Sequence, residues 1–149
     1  MNSAKSTTYL ALNTYTKLMR AAESVTSRVN RSMTEFNLTI SQFGVLEALH
    51  HKGAMCQRDV AAKILKSTGN ITLVIDNLEK RNLVKRVRDS DDRRYLTIHL
   101  TDEGTAVIVQ AFARVEAAIV TEFTVITTSE QELLGGLCKK LGMKGGGLK

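Results

Sequence analysis

A chain of 149 residues, 43% apolar and 24% charged, has room for one domain with helical extensions, and those fractions exclude wholesale disorder. Its 21 Lys and Arg outnumber 15 Asp and Glu, for a net charge of +6, which suits a polyanionic partner without identifying one. No stretch approaches the roughly 18 apolar residues of a membrane span, MNSAKSTTYLALNTY has no signal-peptide core, and Cys56 and Cys138 match no metal or disulfide spacing, so a reduced, cytoplasmic chain without cofactor is expected.

The chain contains no proline, and residues 6–33 lack glycine as well, so they read as one long helix. Leu12, Tyr15, Met19, Ala22, Val29 and Met33 lie along one of its stripes. In LTISQFGVLEALH, Thr39 and Gln42 have the spacing of a capping box that opens a second helix. CQRDVAAKIL predicts a short third helix with Val60, Ala61 and Ile64 inward. In STGNITLVIDNLEKRN the β-branched run favours a strand locally. The helical spacing of Ile71, Ile75 and Leu78, a cap at Ser67 or Thr68, and Asn82 as a left-handed terminator predict a helix instead.

LVKRV and YLTIHL read as two strands, the second alternating Leu96, Ile98 and Leu100 with Tyr95, Thr97 and His99. Thr101 caps the following helix, which runs to about Val125. Ile108, Phe112, Val115, Ile119 and Phe123 line one of its sides, and Val109, Ala113, Ala117 and Val120 another. A last helix runs from about Ser129 to Gly142, and residues 143–149 are a frayed tail. The fold class is therefore mostly α with a small β-hairpin. A helix-turn-helix followed by a hairpin is a winged helix, whose second helix enters a major groove of DNA.

Several ordered motifs carry a resemblance across about residues 9–142: QRDVAAKI, GNITLVIDNLEKRNLVKR and DDRRYLTIHLTDEG. In the last, Asp92-x-Arg94 precedes Leu100-Thr101-x-x-Gly104. The chain resembles the multiple-antibiotic-resistance regulator (MarR) family of bacterial transcription factors. The resemblance implies an obligate homodimer built from the first and last helices, and a repressor or activator whose DNA affinity responds to an effector. It divides a single domain into a winged-helix core at 34–101 and dimerisation helices at 6–33 and 102–142. Two positions depart from the family pattern: Leu73 where many members carry arginine, and Asn82 where glycine is usual.

The helix beginning near Thr68 presents Asn70, Thr72, Leu73, Asn77 and Lys80 away from its apolar side, with Ser67 and Thr68 at its phosphate-binding end. Asn reads adenine with two hydrogen bonds, and Leu73 can meet a thymine methyl. The plainer alternative is a solvated face. Residues 58–94 hold ten Lys or Arg and six Asp or Glu, so most of the net charge falls on this half.

RDSDDRRY, residues 88–95, sums to no net charge among its arginines and aspartates, which makes it a poor non-specific phosphate binder. A carboxylate braces a neighbouring guanidinium and lowers the entropy lost when that guanidinium enters a minor groove. Arg94, supported by Asp92, is thus the expected wing reader, with Arg93 on a phosphate; the alternative is a solvated tip with surface ion pairs.

Cys56, near a helix start and close to Arg58, admits a redox role, although an inert packing residue is the plainer reading. Cys138 is expected to pack in the dimer interface. His50 and His51 point apart on a helix and suggest no metal. No phosphate loop, hydrolase elbow or zinc-protease motif is present, so no enzyme activity is expected.

The reading is a homodimeric regulator of a pseudo-palindromic operator, taken as a repressor, with its affinity set by a small aromatic or phenolic effector or by oxidation. The effector is expected where the first helix, the helix opened by Thr39 and the helix after Thr101 meet. The rival is a winged-helix protein-interaction module that does not bind DNA.

Overall fold

The computed structural model describes residues 2–64, 68–88 and 96–143. Ser67, Asp92, Arg93, Arg94, the side chain of Thr68 and most of the tail lie outside them. In order the elements are α1 (Asn2–Thr34), α2 (Ile40–Lys52), β1 (Met55–Cys56), α3 (Gln57–Lys63), α4 (Thr68–Lys80), β2 (Val84–Arg88), β3 (Leu96–Leu100), α5 (Asp102–Phe123) and α6 (Thr128–Gly142).

The helix starts follow the side-chain chemistry. The Thr39 hydroxyl accepts the Gln42 N–H at 3.2 Å, while the Gln42 amide oxygen accepts the Thr39 N–H at 3.0 Å, a reciprocal box that satisfies two orphan donors. A second box at Thr127 and Glu130 opens α6 one residue ahead of the expected Ser129. The β-branched run of α4 is helical because Ile71, Ile75 and Leu78 then reach 0% exposure together, and tertiary burial outweighs strand propensity. Asn82 takes φ 56° at its end, the left-handed conformation expected there.

The wing differs from the expectation of two strands. β1, two residues long, adds to a three-stranded antiparallel sheet in the order β1-β3-β2, with Met55 opposite Ile98 and Cys56 opposite Thr97. β2 and β3 pair from Val84 opposite Leu100 to Arg88 opposite Leu96. Ile98 is buried against the helices, with Leu100 packed on the same core.

Leu100-Thr101-x-x-Gly104 locks the sheet to α5. The Thr101 N–H donates to the Leu83 carbonyl at 3.2 Å and its hydroxyl donates to the Asn82 carbonyl at 2.6 Å. The same hydroxyl accepts the Gly104 N–H at 2.9 Å. A Cβ on Gly104 would stand 1.9 Å from the Leu83 carbonyl oxygen, so only glycine permits this approach.

Gly104, Ile108, Ala111 and Val115 form the buried face of α5. Its other expected apolar side stays open, with Val109 and Val120 exposed; Ile119, expected on the same side as Ile108 and Val115, is exposed too, and the helix ends at Phe123 instead of Val125. α1 joins the core only through its C-terminal half, with Val29 and Met33 buried and Val25 beside them. Tyr9, Leu12, Tyr15 and Met19 are exposed, so the expected stripe is covered along part of its length.

Candidate nucleic-acid interface

With Ile71, Ile75 and Leu78 turned inward, α4 leaves Asn70, Thr72, Leu73 and Lys80 exposed and Asn77 half-buried. Leu73 is 62% exposed, a large apolar side chain standing in water on an otherwise polar face. Asp76 shares this face, one turn beyond Thr72 and Leu73 and one turn before Lys80.

Polar ties to its neighbours fix α4 in the domain, and none of those that follow figures among the sequence expectations. Gln57, the first residue of α3, donates from Nε2 to Thr72 Oγ1 at 2.6 Å and so links the two helices of the turn. Arg81, just beyond α4, donates to the carbonyls of Asn37 at 2.7 Å and Phe36 at 3.1 Å in the turn between α1 and α2. Arg86 on β2 pairs with Asp76 Oδ1 at 2.5 Å and with Glu79, and its backbone N–H donates to Glu79 Oε1 at 3.1 Å. Burial opposes the charge on Arg86, but hydrogen bonds to Asp76 and Glu79, with their negative charges, hold the guanidinium above its ordinary pKa. Asp76 and Glu79 lie three apart, which is one helical face, but Arg81, Arg86 and Arg88 were all eligible partners in the sequence.

Cys56 is half-buried, occupies the N-cap position of α3 without a side-chain hydrogen bond, and pairs through its backbone with Thr97. Among the described residues no group of His, Cys, Asp and Glu is arranged to hold a metal, and no helix is long and apolar enough to cross a membrane. His51 packs edge-on against Phe112 with ring centroids 5.2 Å apart.

Where α1, α2 and α5 meet, Val29, Met33, Leu46, Leu49, Ile108 and Val115 belong to the continuous core. A cleft of about 320 Å³ lies beside it between α1 and α5, walled by Arg31, Glu35, Arg114, Ala117 and Glu122. Two ion pairs flank the cleft, Arg28 with Glu122 at 2.7 Å and Arg114 with Glu35 at 3.1 Å. A larger apolar groove of about 760 Å³ runs between α1 and α6, lined by Leu18, Ala21, Leu134, Leu137 and Leu141, with exposed Cys138 on its wall.

Known proteins agree with this arrangement. The MarR family profile matches residues 38–96, the span from the start of α2 into β3. The HTH-type transcriptional regulator YkoM of Bacillus subtilis is 32% identical over 133 residues, covering 89% of this chain and 86% of that protein. MhqR, an HTH-type transcriptional regulator of the same bacterium, is 30% identical over 133 residues, 89% of this chain and 92% of its own. Among solved structures, Bordetella bronchiseptica BpsR, whose DNA binding is regulated by 6-hydroxynicotinic acid, superposes with a TM-score of 0.75 at 26% identity, covering 85% of this chain and 90% of that one. An exposed helix beside a small sheet, fixed by the Leu100-Thr101-x-x-Gly104 lock and matched in sequence and fold by these regulators, places the chain in the MarR family of DNA-binding winged-helix transcriptional regulators.

Proposed function

We propose that two copies of the chain form a homodimer that represses transcription from a pseudo-palindromic operator and leaves it when a small hydroxylated aromatic acid or phenol binds. The observation that carries this reading is the pairing of two uncovered surfaces. α4 keeps a polar face with Leu73 exposed, and α1 and α6 leave an apolar groove with Leu134, Leu137 and Leu141 all exposed. Monomers rarely leave such a surface bare, and a second copy supplies the same helices to cover it. Residues 34–101 then grip DNA while 6–33 and 102–142 hold the dimer.

On DNA, Asn70 and Asn77 flank the groove-facing side of α4 and are placed to read adenine, while Leu73 meets a thymine methyl. Thr72, held by Gln57, and Lys80 contact the backbone, as do Ser67 and Thr68 through the helix start. Arg94, braced by Asp92, enters the minor groove and Arg93 takes a phosphate.

The effector's carboxylate or phenolic oxygen enters the cleft between α1 and α5 and displaces Glu35 or Glu122 from its arginine, while the ring lies on Ala117 and Ala118. BpsR answers to a ligand of this chemical class. Arg81 joins the turn after α1 to the end of α4, so a shift of α1 against α2 moves the recognition helix. A coupling of about 1–3 kcal/mol would change operator affinity about 5–150-fold, and DNA would change effector affinity by the same factor.

Enrichment of duplexes from a random pool, followed by footprinting, tests the reading. Two half-sites about 10–10.5 bp apart, with binding that weakens steeply in salt, are expected. A single asymmetric half-site, or affinity indifferent to salt, would contradict it. Failure to enrich any duplex would favour a winged helix that docks protein.

A further inference from the structure

Two carboxylates stand among the residues assigned to DNA. Asp76 occupies the outward face between Thr72, Leu73 and Lys80, and Glu79 adjoins Lys80. Left bare, each would confront phosphates, and like charges brought together across an interface weaken binding. They are not bare. Arg86, on the neighbouring strand β2, pairs with both, one through each terminal nitrogen, with its side chain 21% exposed against 41% for Asp76 and 39% for Glu79.

The Arg86 backbone N–H donates to Glu79 as well, so one residue of the sheet holds two successive turns of the helix. The planar fork of arginine reaches two carboxylates at fixed angles, which a lysine ammonium does not reproduce. A released Asp76 would do more than repel. A carboxylate in the major groove accepts from the amino group of cytosine, so it would alter which base is preferred.

We propose that Arg86 is a positioning residue for DNA recognition: it draws Asp76 and Glu79 onto the wing, so that α4 offers Leu73 and Lys80 to the groove in place of a carboxylate. This rests on the reading of α4 as the recognition helix. The arrangement makes Arg86 a determinant of sequence preference although its own side chain faces the protein.

The test uses the full-length protein, a pool of random duplexes about 30 bp long that spans two half-sites, and three variants: Arg86→Met, the double Asp76→Asn/Glu79→Gln, and the triple combination. Thermal melts first establish the range in which each is folded. Within it, Arg86→Met is expected to bind the duplex enriched by wild type about tenfold more weakly or worse, from the charge it uncovers. Its own enriched duplexes should gain cytosine opposite α4, and the triple variant should recover most of the lost affinity.

The double variant frees Arg86 for a phosphate, so its plot of log affinity against log salt should steepen by about 0.9. A purely structural Arg86 would lower the melting temperature and leave salt slope and base preference alone. Folded Arg86→Met with wild-type affinity and base preference would overturn the proposal, as would a triple variant as weak as Arg86→Met. If Arg86→Met does not fold, the slope of the double variant decides: steeper supports the proposal and unchanged overturns it. Wild-type protein that enriches no duplex would instead refute the DNA reading of α4, and this inference with it.

Discussion

Gly104→Ala should be among the most damaging single-methyl additions in the protein. The new Cβ would lie 1.9 Å from the Leu83 carbonyl oxygen and 2.8 Å from its carbon, both backbone atoms that no rotamer change can remove. Overpacking costs about 1–3 kcal/mol, and fixed backbone puts this site at the upper end. Retreat of α5 would also loosen Thr101, which holds the Gly104 N–H and the Asn82 carbonyl, for about 1 kcal/mol more. Alanine's better helix propensity returns about 1 kcal/mol, so the net loss should be about 2–3 kcal/mol. Urea unfolding followed by circular dichroism at one fixed protein concentration reads this directly, since the stability of the proposed dimer would depend on concentration. Gln110→Ala, at an exposed position farther along the same helix, serves as control and should change stability by about 0.5 kcal/mol or less. A loss below about 0.5 kcal/mol for Gly104→Ala would show that α5 is not seated on Leu83, and the account of the Leu-Thr-x-x-Gly lock would fail.

Leu137→Lys, in the groove between α1 and α6, should shift the protein towards monomer in sedimentation velocity; wild type that stays folded and monomeric at micromolar concentration would sink the dimer. Arg94→Ala should weaken specific binding by about 1–3 kcal/mol, whereas Asp92→Ala should lower the ratio of specific to non-specific affinity; an unchanged ratio would discard the bracing role of Asp92. The backbone N–H of Thr127, followed by its hydroxyl, holds the Glu130 carboxyl below its ordinary 4.5. A depressed carboxylate stabilises above its unfolded pKa and loses that contribution as pH falls through the folded one. The first turn of α6 should therefore fray only in acid below 4.5, and an NMR titration midpoint for Glu130 at or above 4.5 would contradict the capping box.

Much of the fold is legible in local chemistry. Thr39 with Gln42, Asn82 and Thr101 each solve a backbone problem within a few residues of themselves, so the sequence alone exposes them. β1 is not legible, because two residues carry no alternation and become a strand only through their pairing with Ile98 and Thr97. The ties from Arg81 to Phe36 and Asn37 span more than forty residues, and they depend on a turn whose position only the packed core sets. The α1 stripe shows the opposite failure. Its periodicity is continuous, but Met33 is buried and Leu12 is 62% exposed, because periodicity reports which side wants cover and not which molecule provides it. Of the proposed DNA face, Asn70, Leu73 and Lys80 follow from helical spacing alone, while the pairing of Asp76 with Arg86 required the position of β2.

The hydrogen bond from the Arg86 N–H to Glu79 also bears on how this sheet avoids other chains. β2 is an outer strand, and the outward donors of such a strand template the addition of a further one, the usual route to edge-to-edge aggregation. Arg86 lies at the centre of the five residues Val84–Arg88, and its outward donor is already occupied by a carboxylate from α4. The flanking Lys85 and Arg88 are exposed and charged, which makes a close, in-register approach by an identical strand repulsive. The opposite margin of the sheet, β1, is only two residues long, too short to nucleate a ladder. Among the described residues the sheet thus has one margin too short to extend and one whose central donor is already taken.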